Sequence, residues 1–417
     1  MKALVYDVNA EDIIHLIQEA SSSKEAFLGE HSPLRLRDVP DLAAPPFDDW
    51  VLIRTRLCGI CGSDTKQVFI DFEGIDSPLA TLASFPQVMG HEVVGTVDRV
   101  GPAVTQVRPG QRVVLNPWLS CAPRGIAPVC EMCADGQFSL CVNFKRGRLA
   151  PGIHTGTCRD ASGGYAPVLP AHESMAIPVP DGVTDEEAVL ADPFSVSLHS
   201  VLWHPPAPGD IVVVYGCGTL GMCAIEILNK LFPGVRIYAI ARFDHQAELA
   251  RRLGAIEVVP WRPVEGIIER FAEITGAREV LPPIEGTGGL PMLHGARGVR
   301  VVYNTVGTPE SVGVAIRIAG PRSTVVMSGV DTPARFEWSP HYFKEVNLVG
   351  SNAFGVEEWN GKRQHAMRHY FDLVRDERID LTPILTHRFR LDDYRDAFRA
   401  AHEQGESGAV KVLFAFA

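Results

Sequence analysis

Two short stretches hold the residue types for metal chemistry: Cys58-Gly-Ile-Cys-Gly-Ser-Asp64 and Gly90-His-Glu92. Thiolate and imidazole are favoured zinc ligands, and a catalytic zinc takes three protein ligands and keeps a fourth position open. Cys61 and His91 supply two. The third is expected from the segment that crosses between two domains, so that substrate lies in the cleft, and Asp192 is the candidate. An Asp followed by Pro193 is also an ordinary N-cap and first-turn pair, and both roles can hold together. Glu92 and Asp64 stand beside the ligands, where carboxylates orient a ligand histidine and tune the metal. Ser63 follows Cys61 by two residues, placing a hydroxyl where it can carry a proton away from an alcohol on the metal. Cys58 is expected to be a buried structural cysteine, because a Cys-x2-Cys pair needs two more ligands to close a site.

A second cluster is Cys121-x8-Cys130-x2-Cys133-x7-Cys141. Four thiolates around a tetrahedral zinc make a closed, structural site with no position for substrate. Such an ion would hold together a lobe, about residues 118–145, with too little apolar content to hold itself.

A third constellation is Val212-Val-Val-Tyr-Gly216-Cys-Gly218-Thr219-Leu220-Gly221. A G-x-G-x-x-G motif after an apolar strand and before a helix permits a tight turn and brings backbone N–H groups close to a pyrophosphate. The next strand, Ile237-Tyr-Ala-Ile-Ala241, ends without the carboxylate that would bind a ribose 2′-hydroxyl; Ala241 occupies the turn and Arg242 follows. An arginine there meets a 2′-phosphate, which favours NADP over NAD. Asp244 opposes this if a small register shift brings it near the ribose.

The elements that must position these groups change character along the chain. Up to about residue 190, short strand patterns alternate with Gly and Pro turns, as in a small barrel-like β domain. Trp50 to Leu57 reads as the strand that delivers the Cys61 motif, and Val93 to Gly101 and Pro109 to Leu115 as further strands. Residues 8–32 look like a helix-bearing insertion, read as a surface elaboration. From Ile211, strands near 211–215, 235–241, 256–259, 299–304, 323–329 and 346–351 alternate with helical patterns, which describes a doubly wound parallel sheet. Pro282 to Gly298 reads as an inserted loop. A terminal helix (Leu391 to Glu403) and strand (Val410 to Phe416) should rejoin the first domain. The expected division is 1–195 with 352–417, and 196–351. The stretch with Phe69, Phe72, Leu79, Leu82 and Phe85 reads equally as pocket lining or as a packed loop, and Phe69, Phe72, Trp118 and Phe354, taken singly, read as core or loop packing before pocket.

Length suffices for two cores. A net charge of -11 argues against a nucleic-acid surface, and no apolar run reads as a membrane span. Nine cysteines, an odd count with five at metal-ligand spacing, suggest a reducing compartment, hence the cytoplasm. The N-terminus does not read as a signal peptide.

The sequence resembles the zinc-dependent alcohol dehydrogenases of the medium-chain dehydrogenase/reductase superfamily. The matching motifs span most of the chain: Gly59-Ile-Cys61-Gly-Ser63-Asp64, Gly90-His91-Glu92-Val-Val-Gly95, the four cysteines, Gly163-Gly-Tyr165, Asp192-Pro193, the glycine loop and Leu253-Gly-Ala255. The resemblance implies an α/β chain with a GroES-like β-rich catalytic domain and a Rossmann domain. It implies two zinc ions per chain, the catalytic one on Cys61, His91 and Asp192, and a proton relay beginning at Ser63. It places Val306, Gly307, Gly329 and Ser351 near the nicotinamide, and implies a homodimer or homotetramer. Three features depart from the family: the eight-residue spacing after Cys121, the insertion, and Lys66 where many members carry a relay histidine. Lys66 is read equally as a contact to a cofactor hydroxyl, a contact to an anionic substrate group, or a solvated side chain. The expected reaction is hydride transfer between a small alcohol, or its aldehyde or ketone, and a nicotinamide cofactor. The alternatives are reduction of an activated C=C bond by a zinc-free relative, and a non-catalytic dinucleotide-binding protein.

Overall fold

A computed structural model of the 417-residue chain describes residues 1–20, 24–71, 81–283, 289–295, 297–329 and 339–416. Phe72 and Leu79 lie outside the described residues. The chain forms two compact units, 1–192 with 363–417, and 193–362.

The first unit is built on a seven-stranded sheet whose hub is Trp50–Gly59. This strand pairs with Glu92–Val100, Val168–His172 and Lys411–Ala415. Its run of β-branched and apolar residues is buried on both faces over Trp50–Ile53 and again over Leu57–Gly59. The core around it contains Trp50, Ile53, Val93, Val113, Tyr165, Leu169, Phe398 and Phe414. Because the hub strand and Glu92–Val100 are hydrogen-bonded neighbours, Gly59 stands opposite Glu92. That register brings the Cys61 and His91 motifs to one end of the sheet, although they are far apart in sequence.

The insertion forms a helix, Ala10–Ala20, and a 3-10 turn, Lys24–Leu28. It is tied down by Arg35 on Asp12 at 2.8 Å and by Arg395, whose Nε donates to the Leu28 carbonyl at 2.7 Å. The C-terminal helix is Tyr394–His402, entered through a 3-10 turn over Leu391–Asp393. Phe69 packs in the core, stacked on His402 at 4.0 Å, and Phe354 is fully buried, so both serve packing.

The second unit carries six parallel strands in the spatial order Glu257–Pro260, Arg236–Ala241, Ile211–Tyr215, Val299–Asn304, Ala319–Met327, Asn347–Gly350. This is the 3-2-1-4-5-6 order of a dinucleotide-binding sheet. Its core includes Val213, Tyr238, Ile267, Phe271, Val302 and Ile316. The stretch expected as a loop from Pro282 to Gly298 is in part a hairpin, with Met292–His294 antiparallel to Glu279–Leu281. After Ser351 the chain does not pass at once to the first unit. A two-stranded ribbon, Val356–Trp359 with Lys362–His365, intervenes, and the units divide inside it. Among the described residues no helix is long and apolar enough to cross a membrane.

Candidate functional site

Cys61 ends the loop after the hub strand and is the N-cap of a short helix, Gly62–Val68. Its N–H donates to Asp64 Oδ2 at 2.9 Å, which fixes the turn. The Cys61 sulfur, a His91 ring nitrogen and a Glu92 carboxylate oxygen all lie within 4.8 Å of one another. Glu92, expected only to stand beside the ligands, is thus one of the gathered donors. Asp192 is not in that triplet. It lies in the first turn of the helix Ala191–Trp203, inside the helix and not at its N-cap. Its Oδ2 is buried with no hydrogen-bond partner among the described residues.

The electrostatics test whether these residues fit a cation. Burial by itself would lower the pKa of His91, but Asp64, Cys61 and Asp192 overrule it and push it well above the usual histidine range. Burial first, and then the charge of Glu92, push the Asp192 carboxyl up to about 7. Burial raises Asp64 as well. A site where acidic groups crowd an imidazole, and where a buried carboxylate oxygen has no partner, matches a bound cation of high charge. Sulfur, imidazole and carboxylate donors together suit zinc.

The surrounding groups fall into place around these donors. Asp64 is buried, with Oδ1 3.7 Å from His91 Nδ1. Tyr165 donates its hydroxyl to Asp64 Oδ2 at 2.7 Å. Ser63 is exposed on the first turn of Gly62–Val68, and Lys66 is half-buried on the same helix. The His154 ring lies 4.6 Å from that of His91, tilted by 52°, and Trp118 meets His154 edge-on at 5.9 Å. Cys58 is fully buried, and burial drives its thiol pKa well up, as an inert structural cysteine requires.

The four-cysteine lobe closes on itself. The sulfurs of Cys121, Cys130, Cys133 and Cys141 lie within 4.8 Å of one another, so the long spacing after Cys121 does not exclude it. The N–H of Cys130 and the Asn143 amide donate to Cys121 Sγ at 3.4 and 3.2 Å, and the Asn143 N–H to Cys141 Sγ at 3.4 Å. Such N–H···S bonds stabilise thiolates. Arg124 staples the lobe from inside: fully buried, it donates to the carbonyls of Leu119, Arg146, Leu149, Ala150 and Gly152.

In the second unit each glycine of the loop after Ile211–Tyr215 has its own reason. Gly216 has φ +98°. A Cβ on Gly221 would lie 1.8 Å from the Gly216 carbonyl oxygen, so helix and strand pack at backbone contact. A Cβ on Gly218, the N-cap of Thr219–Leu231, would meet nothing within 4 Å. The space above Gly218 and the following N–H groups is the cradle a pyrophosphate occupies. The Leu220 carbonyl accepts from the Ser197 hydroxyl at 2.9 Å. Asn304 Oδ1 takes the N–H groups of Val306 and Gly307, each at 3.0 Å. Gly329 is pressed against the Val306 backbone, and the Ser351 and Ser200 hydroxyls are bonded at 2.8 Å.

At the end of Arg236–Ala241, Ala241 is buried and Arg242 exposed. The Arg242 guanidinium lies 4.8 Å from the Trp261 ring and 5.1 Å from that of Phe243. Asp244 opens the helix Asp244–Arg252.

Four residues near the sites were not picked out from the sequence: Lys411, His154, Arg124 and, as a hydrogen-bond donor, Tyr165. A signal existed for Lys411, a lysine in the otherwise apolar run Val410 to Phe416. None existed for Arg124 or His154, whose partners are set by loop packing.

A model of the alcohol dehydrogenase GroES-like domain matches residues 47–181, and one of zinc-binding dehydrogenases matches 219–367. L-threonine 3-dehydrogenase of Rhizobium etli (strain CIAT 652) is 30% identical over 383 residues, 90% of this chain and 94% of that protein. (R,R)-butanediol dehydrogenase of Saccharomyces cerevisiae is 27% identical over 385 residues, 88% of this chain and 91% of that protein. The crystal structure of 2R,3R-butanediol dehydrogenase from Bacillus subtilis superposes with a TM-score of 0.70 at 22% identity, covering 100% of this chain and 99% of that one.

Proposed function

The chain belongs to the zinc-dependent alcohol dehydrogenases of the medium-chain dehydrogenase/reductase superfamily, which move a hydride between an alcohol and a nicotinamide cofactor, and from that premise we propose how its residues divide the work. Cys61, His91 and an acidic residue hold the catalytic zinc, with Asp192 as the third ligand. Cys121, Cys130, Cys133 and Cys141 hold a structural zinc. The observation that carries this reading is the meeting of Cys61, His91 and Glu92 donors, with buried, unpartnered oxygens on both Glu92 and Asp192 and with Asp192 in the field of Glu92 and His91.

The bound zinc supplies Lewis acidity toward the substrate oxygen, and the nicotinamide supplies a hydride acceptor. The chain's own residues do the rest. Ser63, exposed next to the ligand loop, accepts the hydroxyl proton and passes it outward. Asp64 holds the Cys61 turn through the Cys61 N–H and faces His91. Lys66, one turn on, keeps its three equal readings: a contact to a cofactor hydroxyl, a contact to a substrate anion, or a solvated side chain.

Gly216, Gly218, Thr219, Leu220 and Gly221 cradle the pyrophosphate, and Ala241 and Arg242 border the adenine ribose. Val306, Gly307, Gly329 and Ser351 border the nicotinamide. NADP is the preferred cofactor, since Arg242 is held by two rings with its fork available to a phosphate. The relatives named above are a threonine 3-dehydrogenase and a butanediol dehydrogenase; a small secondary alcohol with an amino or hydroxyl group on the adjacent carbon is the proposed substrate. Exposure of Tyr342 and Phe343, each 74%, supports a homodimer or homotetramer. The nine cysteines, an odd count with four gathered as thiol donors in one lobe, support a reducing, cytoplasmic setting.

Metal analysis of the purified protein tests the core of this reading. About two zinc ions per chain are expected, falling to about one, with loss of turnover, in Cys61→Ser. Full activity in metal-stripped protein would refute it.

A further inference from the structure

His154 stands beside the metal donors with one ring nitrogen committed and the other not. Its ring lies 4.6 Å from that of His91. Its Nδ1 is 2.7 Å from the Thr155 carbonyl oxygen. A carbonyl only accepts, so Nδ1 carries the ring proton, and Nε2 of the neutral ring keeps a lone pair. Among the described residues Nε2 makes no hydrogen bond, and the side chain is half-buried, not sealed in.

The backbone that presents this ring is fixed several times over. The Leu119 N–H donates to the Ile153 carbonyl at 3.0 Å, and the Thr155 N–H to the Pro117 carbonyl at 2.8 Å. The Thr157 hydroxyl oxygen accepts from the N–H groups of Ile153 and His154, each at 3.1 Å, and the hydroxyl donates to the His154 carbonyl at 2.8 Å. Trp118 meets the ring edge-on at 5.9 Å. None of these contacts uses Nε2. A rigidly held acceptor with no protein partner, next to a ligand histidine, has the form of a group that orients a substrate.

An acceptor discriminates by hydrogen and not by size. It favours a hydroxyl or ammonium group and leaves an ether, a ketone or a methyl group without a bond. With the carbinol oxygen at the metal, the adjacent carbon carries the next group of a small substrate toward the ring that flanks His91.

Resting on the zinc reading above, we propose that His154 determines substrate specificity: its Nε2 accepts a hydrogen bond from a donor, hydroxyl or ammonium, on the carbon adjacent to the carbinol.

The test reads binding before turnover. In protein carrying Co2+ in place of zinc and no cofactor, the visible bands that depend on Cys61 are titrated with four secondary alcohols: propane-1,2-diol, 1-aminopropan-2-ol, 1-methoxypropan-2-ol and butan-2-ol. The diol or the amino alcohol should bind at least about tenfold tighter than the ether and butan-2-ol. Whichever of those two binds tighter names the donor. In His154→Phe the preference should disappear, while His154→Gln, whose amide oxygen still accepts, should keep part of it. In the zinc enzyme with its nicotinamide cofactor the same preference should appear in kcat/KM, and His154→Phe should remove it mainly through KM.

Equal affinity of the wild type for the diol, the amino alcohol, the ether and butan-2-ol would overturn the proposal before any variant is made. So would a preference that survives His154→Phe, or a variant in which affinity for every alcohol falls by the same factor. If the wild type shows no bands that Cys61→Ser removes, the zinc reading fails and this proposal with it. That outcome is distinguishable because it is visible before any alcohol is added.

Discussion

Tyr165 and Cys61 share one oxygen: the phenol donates to Asp64 Oδ2 at 2.7 Å, and the Cys61 N–H donates to the same atom at 2.9 Å. The tyrosine is fully buried, and its own pKa is driven well up by burial and then by Asp64, so it stays a donor. Removing the hydroxyl leaves a buried carboxylate with one partner fewer. Tyr165→Phe should keep the fold but lose about 1.5–3 kcal/mol of stability. Turnover should fall roughly tenfold, as for a residue supporting a metal ligand. Denaturant midpoints and steady-state rates on the same preparations check both.

Gly218 and Gly221 should respond oppositely to the same methyl group. Gly221→Ala drives a Cβ into the Gly216 carbonyl and should destabilise the second unit by about 1–3 kcal/mol or more. Gly218→Ala meets no protein atom, so the melting temperature should hold. Dinucleotide affinity should instead fall by about tenfold, or 1.4 kcal/mol. Fluorescence titration with reduced cofactor, beside thermal melts, separates the two effects.

Arg242→Gly should raise KM for NADP by about tenfold or more and leave that for NAD nearly unchanged, since a charge-assisted bond to a phosphate contributes roughly 1.5–3 kcal/mol. A wild-type preference for NAD would refute the assignment of Arg242 without touching the metal site.

Acid should weaken the first unit through His365. This histidine caps the helix Ala366–Arg375, its Nδ1 accepting the Met367 N–H at 3.3 Å. Burial, and then the charges of Arg368 and His369, lower its pKa from 6.5 to about 3. The folded imidazole therefore stays neutral while the unfolded one takes up a proton below pH 6.5. Stability from this group is complete above 6.5 and is lost as pH falls toward 3. Between neutral pH and about pH 5 the loss should be roughly 2 kcal/mol. His365→Asn, which can still cap, should flatten that limb of a plot of urea midpoint against pH.

Arg124 serves the lobe mechanically, through five carbonyl acceptors. Arg124→Met strands them, and should cost several kcal/mol, since each buried acceptor left without a donor costs about 1–3 kcal/mol. Zinc should be lost from the four cysteines at lower chelator concentration than in the wild type, while Cys61-dependent metal is retained.

The parts of this protein that could be read from its residues are those whose physics is local. The Gly216 to Gly221 loop is a strand, a turn and a helix start in immediate succession, and its glycines are required by their own dihedral or by contact one turn away. The four cysteines sit close in sequence and have one common use. The alternation from Ile211 onward also announced its parallel sheet, and the strand bounds moved by only a few residues. Folding decided what depends on separated segments meeting. Glu92 joined the donors because its strand pairs with Trp50–Gly59 in a register that sets it opposite Gly59. Lys411 reaches the same carboxylate only because the C-terminal strand lies on the other edge of that hub. Residue types and spacing pointed to a Cys–His metal site and to a dinucleotide loop. Which carboxylate gathers with the Cys61 sulfur and the His91 ring is a property of burial and of strand register, and only the tertiary structure contains those.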